Sequence, residues 1–267
     1  MGKLLFVPVL LYLAFVALLF FAQTSILFPV RQVGPPAALP AGAERLEIAL
    51  RPDLRLRGVR IPPGRPTART TLILGFGGNA ANAATTAVVL HQVFPEAEVV
   101  SFSYRGYPPS DGVPGASALR EDAVRILDEL RLRLRPGRVV AVGFSVGSGV
   151  AAALAAEREL DGLILVTPFD SLARVAADHY PWVPVRLLLR HRLDPALDLG
   201  SARTPVAIIA AGRDTLIPAA RTGALRAAVA NLAYDRTLAA GHNDIYDHPA
   251  FAAAMHEALA ALSSASP

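Results

Sequence analysis

The segment Gly143-Phe144-Ser145-Val146-Gly147 places a serine between two glycines, with one residue on each side. The apolar run 138–144 leads into it and a stretch of small residues follows it, so the sequence predicts a strand, a sharp turn and a helix. Such a turn raises the serine hydroxyl above the sheet, and the glycines leave room for nearby backbone. The helix N-terminus presents the Val146 amide to a developing oxyanion. Ser145 is therefore the candidate nucleophile and Val146 a candidate oxyanion donor.

A nucleophilic serine needs a base and an acid, and after a turn of this kind they follow in the chain order Asp, then His. Asp214 comes shortly after the apolar run 205–210, where a side chain can project from the end of a strand. His242 follows the last β-like run, 231–238, and a loop histidine there can reach over the sheet. A neutral His242 would take the serine proton, while Asp214 would fix its tautomer and stabilise the cation. The sequence thus predicts a triad of Ser145, His242 and Asp214.

Other acids and histidines fit these roles less well. Asp170 and Asp194 are weaker candidates for the acid because of their positions, and the remaining histidines fall in helical segments or in the insertion 172–204. Asp244 lies only two residues from His242, and a side chain that close usually bonds its own loop. The simpler interpretations are a helix-capping Asp214 and a solvated loop histidine at position 242.

Composition removes several other kinds of chemistry. The chain has no cysteine, which excludes a thiol nucleophile, a disulfide and a thiolate zinc site. Its only lysine is Lys3, so a Schiff-base or phosphate-loop lysine is excluded from the rest of the chain. The net charge of +4 comes from arginines without interleaved aromatic residues, so no nucleic-acid binding is expected. No metal site and no cofactor are predicted.

The segments that must position these residues alternate between β-like and helix-like patterns. Strands are predicted at 45–50, 54–61, 70–74, 98–103, 138–144, 162–166, 205–210 and 231–238. The first two strands pair as a hairpin, and helical spacing over 117–134 begins at Ser117 as a candidate N-cap. This alternation predicts an α/β fold with a mostly parallel sheet and helices on both faces. Together with the chain order of the triad, this pattern predicts an α/β-hydrolase fold. Residues 172–204 then form either a short lid or an ordinary packed loop and helix.

The N-terminus carries an uncharged apolar stretch, residues 4–22, that is long enough to cross a bilayer as a helix. Ala22-Gln23-Thr24 fits a signal-peptidase site only loosely, so an uncleaved anchor is favoured over a cleaved signal peptide. We predict a single-pass anchor over 1–24, a linker over 25–44 and a hydrolase domain over 45–263, so that a chain starting near Gln32 is soluble and active. Lys3 before the span favours a cytoplasmic N-terminus and a catalytic domain outside the cytoplasm.

Several motifs together resemble the membrane-anchored α/β-hydrolases of the Bem46 type. They are the elbow at Ser145 and the segments 76–82, 104–107, 167–172, 212–214 and 241–244. The resemblance implies an N-terminal anchor, hydrolase activity on acyl esters or thioesters, and a second oxyanion amide at Asn79. Segment 76–82 reads FGGNAAN where the family has FHGNAGN, and the family's histidine is replaced by Gly77. The family's substrate class is therefore not carried over, and Tyr107 is interpreted as a structural turn residue.

The leading hypothesis is a serine hydrolase that cleaves a small-molecule or lipid acyl ester or thioester through an acyl-enzyme. A serine peptidase on the same fold is one alternative, since the same triad can hydrolyse amides. A catalytically silent, membrane-anchored binding protein is the other, because a fold does not fix a function.

Overall fold

The computed structural model of the chain describes residues 2–65 and 70–265; the side chains of residues 2–6, Lys3 among them, lie outside the described part. Within this range the strands form one sheet in the order β1-β2-β4-β3-β5-β6-β7-β8. The strands are β1 Glu44–Arg51, β2 Leu54–Ile61, β3 Thr71–Phe76, β4 Glu98–Phe102, β5 Arg138–Phe144, β6 Gly162–Val166, β7 Val206–Ala211 and β8 Leu232–Leu238. The α-helices are α1 Gly2–Leu27, α2 Ala83–Val93, α3 Ala116–Leu134, α4 Val146–Glu157, α5 Leu172–His179, α6 Val185–Leu188, α7 Pro195–Leu199, α8 Ala219–Ala228 and α9 Phe251–Ala265.

The sheet is antiparallel at one edge and parallel elsewhere. β1 and β2 form a hairpin, and β2 pairs antiparallel with β4. From β4 through β3, β5, β6 and β7 to β8 every pairing is parallel. This arrangement confirms the predicted α/β fold, and it brings the carboxyl ends of β3, β5, β7 and β8 to one edge of the sheet.

Both faces of the sheet are buried, as the continuous apolar runs of its strands require. In β5, Val139 and Ala141 face a core shared with α3, α4, α7 and α8. Val140 and Val142 face the opposite core, which is completed by α2 and α9. Because β5 is central and covered on both sides, the turn that follows it is held in place from both faces.

The start of α3 differs from the prediction. The helix begins at Ala116 with Gly115 as its N-cap, and Ser117 is an exposed residue within the first turn, so the predicted Ser117 cap is wrong. The Ala116 amide instead donates to Nδ1 of His191, at 3.4 Å. A side chain from a distant segment thus satisfies one of the amides that the first turn of a helix leaves without an intrahelical acceptor.

The N-terminal helix continues past the predicted boundary at residue 24. α1 ends at Leu27, and Phe28 is buried in the core beside α3 and α4. Val30 and Val33 also pack against this core, so the first part of the predicted linker is packed against the domain. The rest of α1 exposes apolar side chains along most of its length, and α1 is long and apolar enough to cross a membrane.

Candidate active site

Ser145 occupies the turn between β5 and α4 in a strained conformation. Its φ is 51° and its ψ is −117°, a region that residues other than glycine rarely adopt. The Ser145 amide donates to the carbonyl of Val166 at 3.0 Å, which ties the turn to the end of β6. The surrounding sheet thus holds a backbone geometry that raises the serine side chain above the strand ends.

The two glycines of the turn are required by close backbone contacts. A Cβ atom on Gly143 would lie 2.5 Å from the carbonyl oxygen of Gly147. A Cβ atom on Gly147 would lie only 2.1 Å from the carbonyl oxygen of Phe76, at the end of β3. The absence of a side chain at Gly143 lets the end of β5 approach the first turn of α4, and its absence at Gly147 lets the end of β3 and the residue after it pack directly against that turn.

The three predicted triad residues lie in one hydrogen-bonded row. His242 Nε2 is 2.9 Å from Ser145 Oγ, and His242 Nδ1 is 2.7 Å from Asp214 Oδ2. The side chains of His242 and Asp214 are only 9% and 6% exposed. The other carboxylate oxygen, Oδ1 of Asp214, accepts from the amides of Leu216 at 2.9 Å and Ile217 at 2.8 Å. Asp214 is therefore fixed in orientation by its own loop while it contacts the imidazole.

The rival acids have other partners. Asp170 is fully buried and forms ion pairs with Arg174 at 3.0 Å and Arg221 at 3.3 Å. Asp194 accepts a hydrogen bond from Ser171, beside α5. Asp244 is exposed. None of these contacts involves the His242 imidazole.

The loop after β3 lies beside Ser145, and Asn79 of this loop and Val146, the residues of the two predicted oxyanion amides, both line the cavity at Ser145. A Cβ atom on Gly78 would be 3.7 Å from Ser145 Cβ. The carbonyl of Gly78 accepts from the Ala81 amide at 3.1 Å, which closes a tight turn. Since the carbonyl and the amide of one peptide point in opposite directions, this bond turns the Asn79 amide away from the turn. The Val146 amide is in the first turn of α4, where the helix offers no acceptor.

Tyr107, which is buried, and Tyr104, which is partly buried, both bond the backbone of this loop, a role that the sequence analysis missed. The Tyr104 hydroxyl donates to the carbonyl of Gly77 at 2.6 Å, and the Tyr107 hydroxyl donates to the carbonyl of Asn79 at 2.6 Å. Burial raises the pKa of both phenols, so they remain protonated donors. Tyr107 lies within a recognised motif, but its position in the chain gives no signal of a partner 28 residues earlier.

The departure at Gly77 has a steric counterpart four residues later. A Cβ atom on Gly77 would lie 2.5 Å from Cβ of Ala81 and 2.8 Å from Oγ1 of Thr86. Position 81 is glycine in the family motif quoted above. The methyl group of Ala81 therefore occupies part of the space that a side chain at position 77 would need, and Thr86 occupies another part, so the two differences from the motif are sterically coupled.

A cavity of about 830 Å³ opens at Ser145. Its wall includes Ile26 from α1, Val175 and Tyr180 from the α5 region, and Tyr246 beside the histidine loop. Burial, with a smaller effect of the nearby Asp214 charge, raises the pKa of Tyr246 to about 12, so its hydroxyl stays neutral. The described residues contain no group of three or more His, Asp or Glu side chains able to hold a metal ion.

A nucleophile elbow, an imidazole and a carboxylate at the carboxyl edge of a parallel sheet define the α/β-hydrolase class of architecture. A family model described as "alpha/beta hydrolase fold" matches residues 72–201. An uncharacterized protein of Mycobacterium tuberculosis, Rv2307c, is 34% identical over 226 residues, which cover 82% of this chain and 79% of that protein. The chain therefore belongs to the α/β-hydrolase fold family.

Two further comparisons extend this result. The chain is 38% identical to the lysophosphatidylserine lipase ABHD12 of Xenopus tropicalis over 86 residues, which cover 30% of this chain and 22% of that protein. The crystal structure of a bacterial membrane phospholipase A matches with a TM-score of 0.63 at 16% identity and covers 99% of each chain. The second likeness shows the fold alone. Membership of this family, with a lipase among the relatives, supports hydrolase activity for the chain.

Proposed function

We propose that the chain is a serine hydrolase that cleaves an acyl ester or thioester through an acyl-enzyme. Ser145 Oγ attacks the acyl carbonyl carbon while its proton passes to Nε2 of His242. The amides of Val146 and Asn79 stabilise the oxyanion, and Asp214 stabilises the imidazolium. Collapse expels the alcohol or thiol, which takes the proton from His242. Water then attacks the acyl-enzyme in the same way and releases the acid.

One observation carries this proposal: the continuous row of hydrogen bonds from Ser145 through His242 to Asp214, at 2.9 and 2.7 Å, on the wall of a large cavity. Distances of this size allow proton transfer without rearrangement of the side chains. The mechanism also requires a carboxylate that holds the imidazole in one tautomer. Asp214 meets this requirement, because two backbone amides fix its orientation.

The cavity favours an acyl group over a polar substrate. Apolar side chains from four parts of the chain line it, among them Val89, Val175 and Leu216. A volume of about 830 Å³ is at the upper end of the range for small-molecule sites. The relative ABHD12 is named as a lipase, which agrees with an acyl substrate.

We also propose that α1 anchors the hydrolase in a membrane. Leu11, Leu18 and Phe21 are among the apolar side chains that α1 leaves exposed, and exposing such a surface to water is unfavourable. A bilayer would cover this surface along the whole helix. Membrane association of the full chain after alkaline washing is the expected result, and a mature N-terminus near Ser25 would contradict the anchor.

Labelling with a fluorophosphonate tests the catalytic proposal. The wild-type chain should be labelled at Ser145, as mapped by mass spectrometry, and Ser145→Ala should lose both labelling and esterase activity. Ser264→Ala, at the end of α9, is a matched control that should behave like wild type. A panel of acyl esters, thioesters and peptides then separates esterase from peptidase activity. A wild-type chain that is folded but neither labelled nor active would favour the silent binding protein.

A further inference from the structure

The N-terminal helix packs on the segment 179–191, here called the lid segment, over much of its length. The Tyr12 hydroxyl donates to the carbonyl of Trp182 at 2.8 Å, and the rings of Phe15 and Trp182 are 5.3 Å apart. Eleven residues further along α1, Gln23 is buried and its side-chain oxygen accepts from the amide of Arg190 at 2.7 Å. α1 is therefore part of the folded domain from Tyr12 onward.

The length of α1 places the lid segment at the depth of the bilayer. The contacts from Tyr12 to Gln23 cover about 16 Å of helix at 1.5 Å per residue. Within α1, residues 2–11 extend beyond these contacts and span about 15 Å, roughly half of the ~30 Å hydrocarbon layer. If α1 crosses the membrane without leaving the domain, the Trp182 end of the lid segment must lie within the bilayer.

The lid segment is mostly apolar, with Arg186 as an exposed charged residue between its two ends. Trp182 is 49% exposed and Leu187 is 85% exposed, although both are apolar. Arg190 lies at the other end, with its guanidinium 4.9 Å from the centre of the Phe20 ring, at the level where headgroups would begin. An apolar surface with an arginine at the headgroup level, where its charge can stay in water, is compatible with a protein surface that enters a bilayer.

The backbone of the lid segment also exposes few polar groups. Pro181 and Pro184 have no amide hydrogen. The amides of Val183 and Leu189 donate to carbonyls within the segment, and Gln23 donates to the carbonyl of Leu188 at 3.3 Å. Internal pairing of this kind lowers the cost of moving backbone into a non-polar layer.

A second, smaller cavity lies between α1 and the lid segment. It has a volume of about 80 Å³ and is lined by apolar side chains of both, with Val16, Leu19 and Phe20 on α1 and Val183, Val185 and Leu188 opposite. Ile26 and Tyr180 line both this groove and the cavity at Ser145. The groove and the cavity at Ser145 are therefore neighbours, and both Ile26 and Tyr180 lie at their shared wall.

We propose that α1 and the lid segment enter the membrane together, and that the groove between them admits one acyl chain of a bilayer lipid to Ser145. This inference rests on the proposed function, both the anchor and the acyl hydrolysis. The polar head of the lipid stays near Arg190 at the headgroup level, while the acyl ester moves past Ile26 and Tyr180. The substrate is then a lipid resident in the bilayer, taken from its plane.

Trp182 is the only tryptophan in the chain, so its fluorescence reports the depth of the lid segment directly. In the full chain reconstituted into phosphatidylcholine and phosphatidylglycerol vesicles, Trp182 emission should shift to shorter wavelength. Lipids with brominated acyl chains should quench it, and aqueous acrylamide should not. The control is a double variant, Leu132→Trp with Trp182→Phe, which moves the single tryptophan to α3. Leu132 is 74% exposed and lies about 24 Å along α3 from Ala116, the residue of that helix that contacts His191 of the lid segment. Acrylamide alone should quench it.

The outcomes separate the two proposals. A chain that does not float with vesicles disproves the anchor. A chain that floats but whose Trp182 is quenched by acrylamide and not by brominated lipid disproves the inference, since α1 then crosses the bilayer apart from the lid segment. A Trp182 shielded from both quenchers also overturns it, because a second protein copy would then cover this surface.

A groove variant tests the route itself. Leu19→Trp should reduce the ratio of long-chain lipid ester hydrolysis in vesicles to soluble short-chain ester hydrolysis roughly tenfold, because the larger side chain fills a groove of about 80 Å³. Phe21→Trp, on an exposed part of α1 outside the groove, should keep the wild-type ratio. Fluorophosphonate labelling of each variant reports an intact nucleophile independently. An unchanged ratio in a labelled Leu19→Trp chain would reject the route and leave the hydrolase proposal standing.

Discussion

Replacing Asp214 by asparagine tests how the base is oriented. In the wild type, Oδ2 faces His242 Nδ1 at 2.7 Å, while Oδ1 accepts from the amides of Leu216 and Ile217. An asparagine side chain has one acceptor end and one donor end. The two backbone donors hold the acceptor end, so the NH₂ group faces Nδ1. In the reverse orientation the NH₂ group would oppose two amide hydrogens and lose both bonds.

The magnitude follows from the tautomer that this orientation imposes. An NH₂ group facing Nδ1 requires an unprotonated Nδ1, so the proton moves to Nε2, 2.9 Å from Ser145 Oγ. A protonated Nε2 cannot accept the serine proton, and the imidazolium also loses its carboxylate. We expect Asp214→Asn to lower kcat by on the order of 10³ to 10⁴, about 4 to 5.5 kcal/mol of activation free energy. KM should change little, since Asp214 does not line the cavity.

Asp244→Asn is the matched control, because it makes the same chemical change two residues from His242. The Asp244 side chain is exposed, so we expect kcat to fall by less than about threefold. Both variants are assayed for kcat and KM on a soluble ester from about pH 6 to 9, with unfolding temperatures to check the fold. A near wild-type Asp214→Asn beside an inactive Asp244→Asn would refute the assignment of the acid.

Three further predictions concern the loop and the buried tyrosines. Tyr107→Phe leaves the Asn79 carbonyl without its donor and should lower kcat about tenfold with little change in KM, by steady-state kinetics; an equal rise in KM would contradict a role in oxyanion binding. Gly77→Ala should reduce activity strongly because the new Cβ would meet Ala81 at 2.5 Å, and adding Ala81→Gly should restore much of it. Independent effects of the two changes would refute the coupling. The third prediction concerns pH. Burial raises the pKa of Tyr246 to about 12 and raises that of Tyr107 as well, whereas tyrosines of the unfolded chain ionise from about pH 10. The free energy of unfolding should therefore fall as the pH rises from about 10 towards 12. The urea midpoint should therefore be constant from about pH 7 to 9 and decline above about 10; a constant midpoint up to about 12 would contradict this.

The fold was predictable because the strand signal is strong and local. The runs 138–144 and 162–166 are apolar apart from Arg138 at the start of the first, as expected for strands buried on both faces, and their observed bounds match the predicted ones. Ser145, Asp214 and His242 could be proposed because each follows such a run. The α/β-hydrolase order then predicts their roles without knowledge of any contact.

Long-range packing was not predictable from the same patterns. Nothing in the local sequence of Tyr107 indicates a hydrogen bond to the Asn79 carbonyl. α1 is apolar on all sides, so it shows no periodicity to reveal which side packs on the domain. Gln23 was the available signal, since a polar side chain in an apolar helix usually has a buried partner.

The packing of α1 changes one expectation from the sequence. A chain starting near Gln32 would lack Ile26 from the cavity wall and Phe28 from the core. We now expect it to unfold at a lower temperature than the full chain, because the loss of a buried phenylalanine costs about 3 to 5 kcal/mol. Thermal unfolding of both chains in the same detergent tests this, and equal midpoints would restore the linker interpretation.

Because side chains at positions 77 and 81 would compete for the same space, the order in which these two positions can change during evolution is restricted. From this chain, Gly77→His before Ala81→Gly would pass through a sequence in which two Cβ atoms approach to 2.5 Å. The opposite order passes through a loop with glycine at both positions, which is looser but free of overlap. Any mutational path between the two forms of the loop is therefore expected to run through the double-glycine intermediate, and sequences that carry it should be found among α/β-hydrolases with either form.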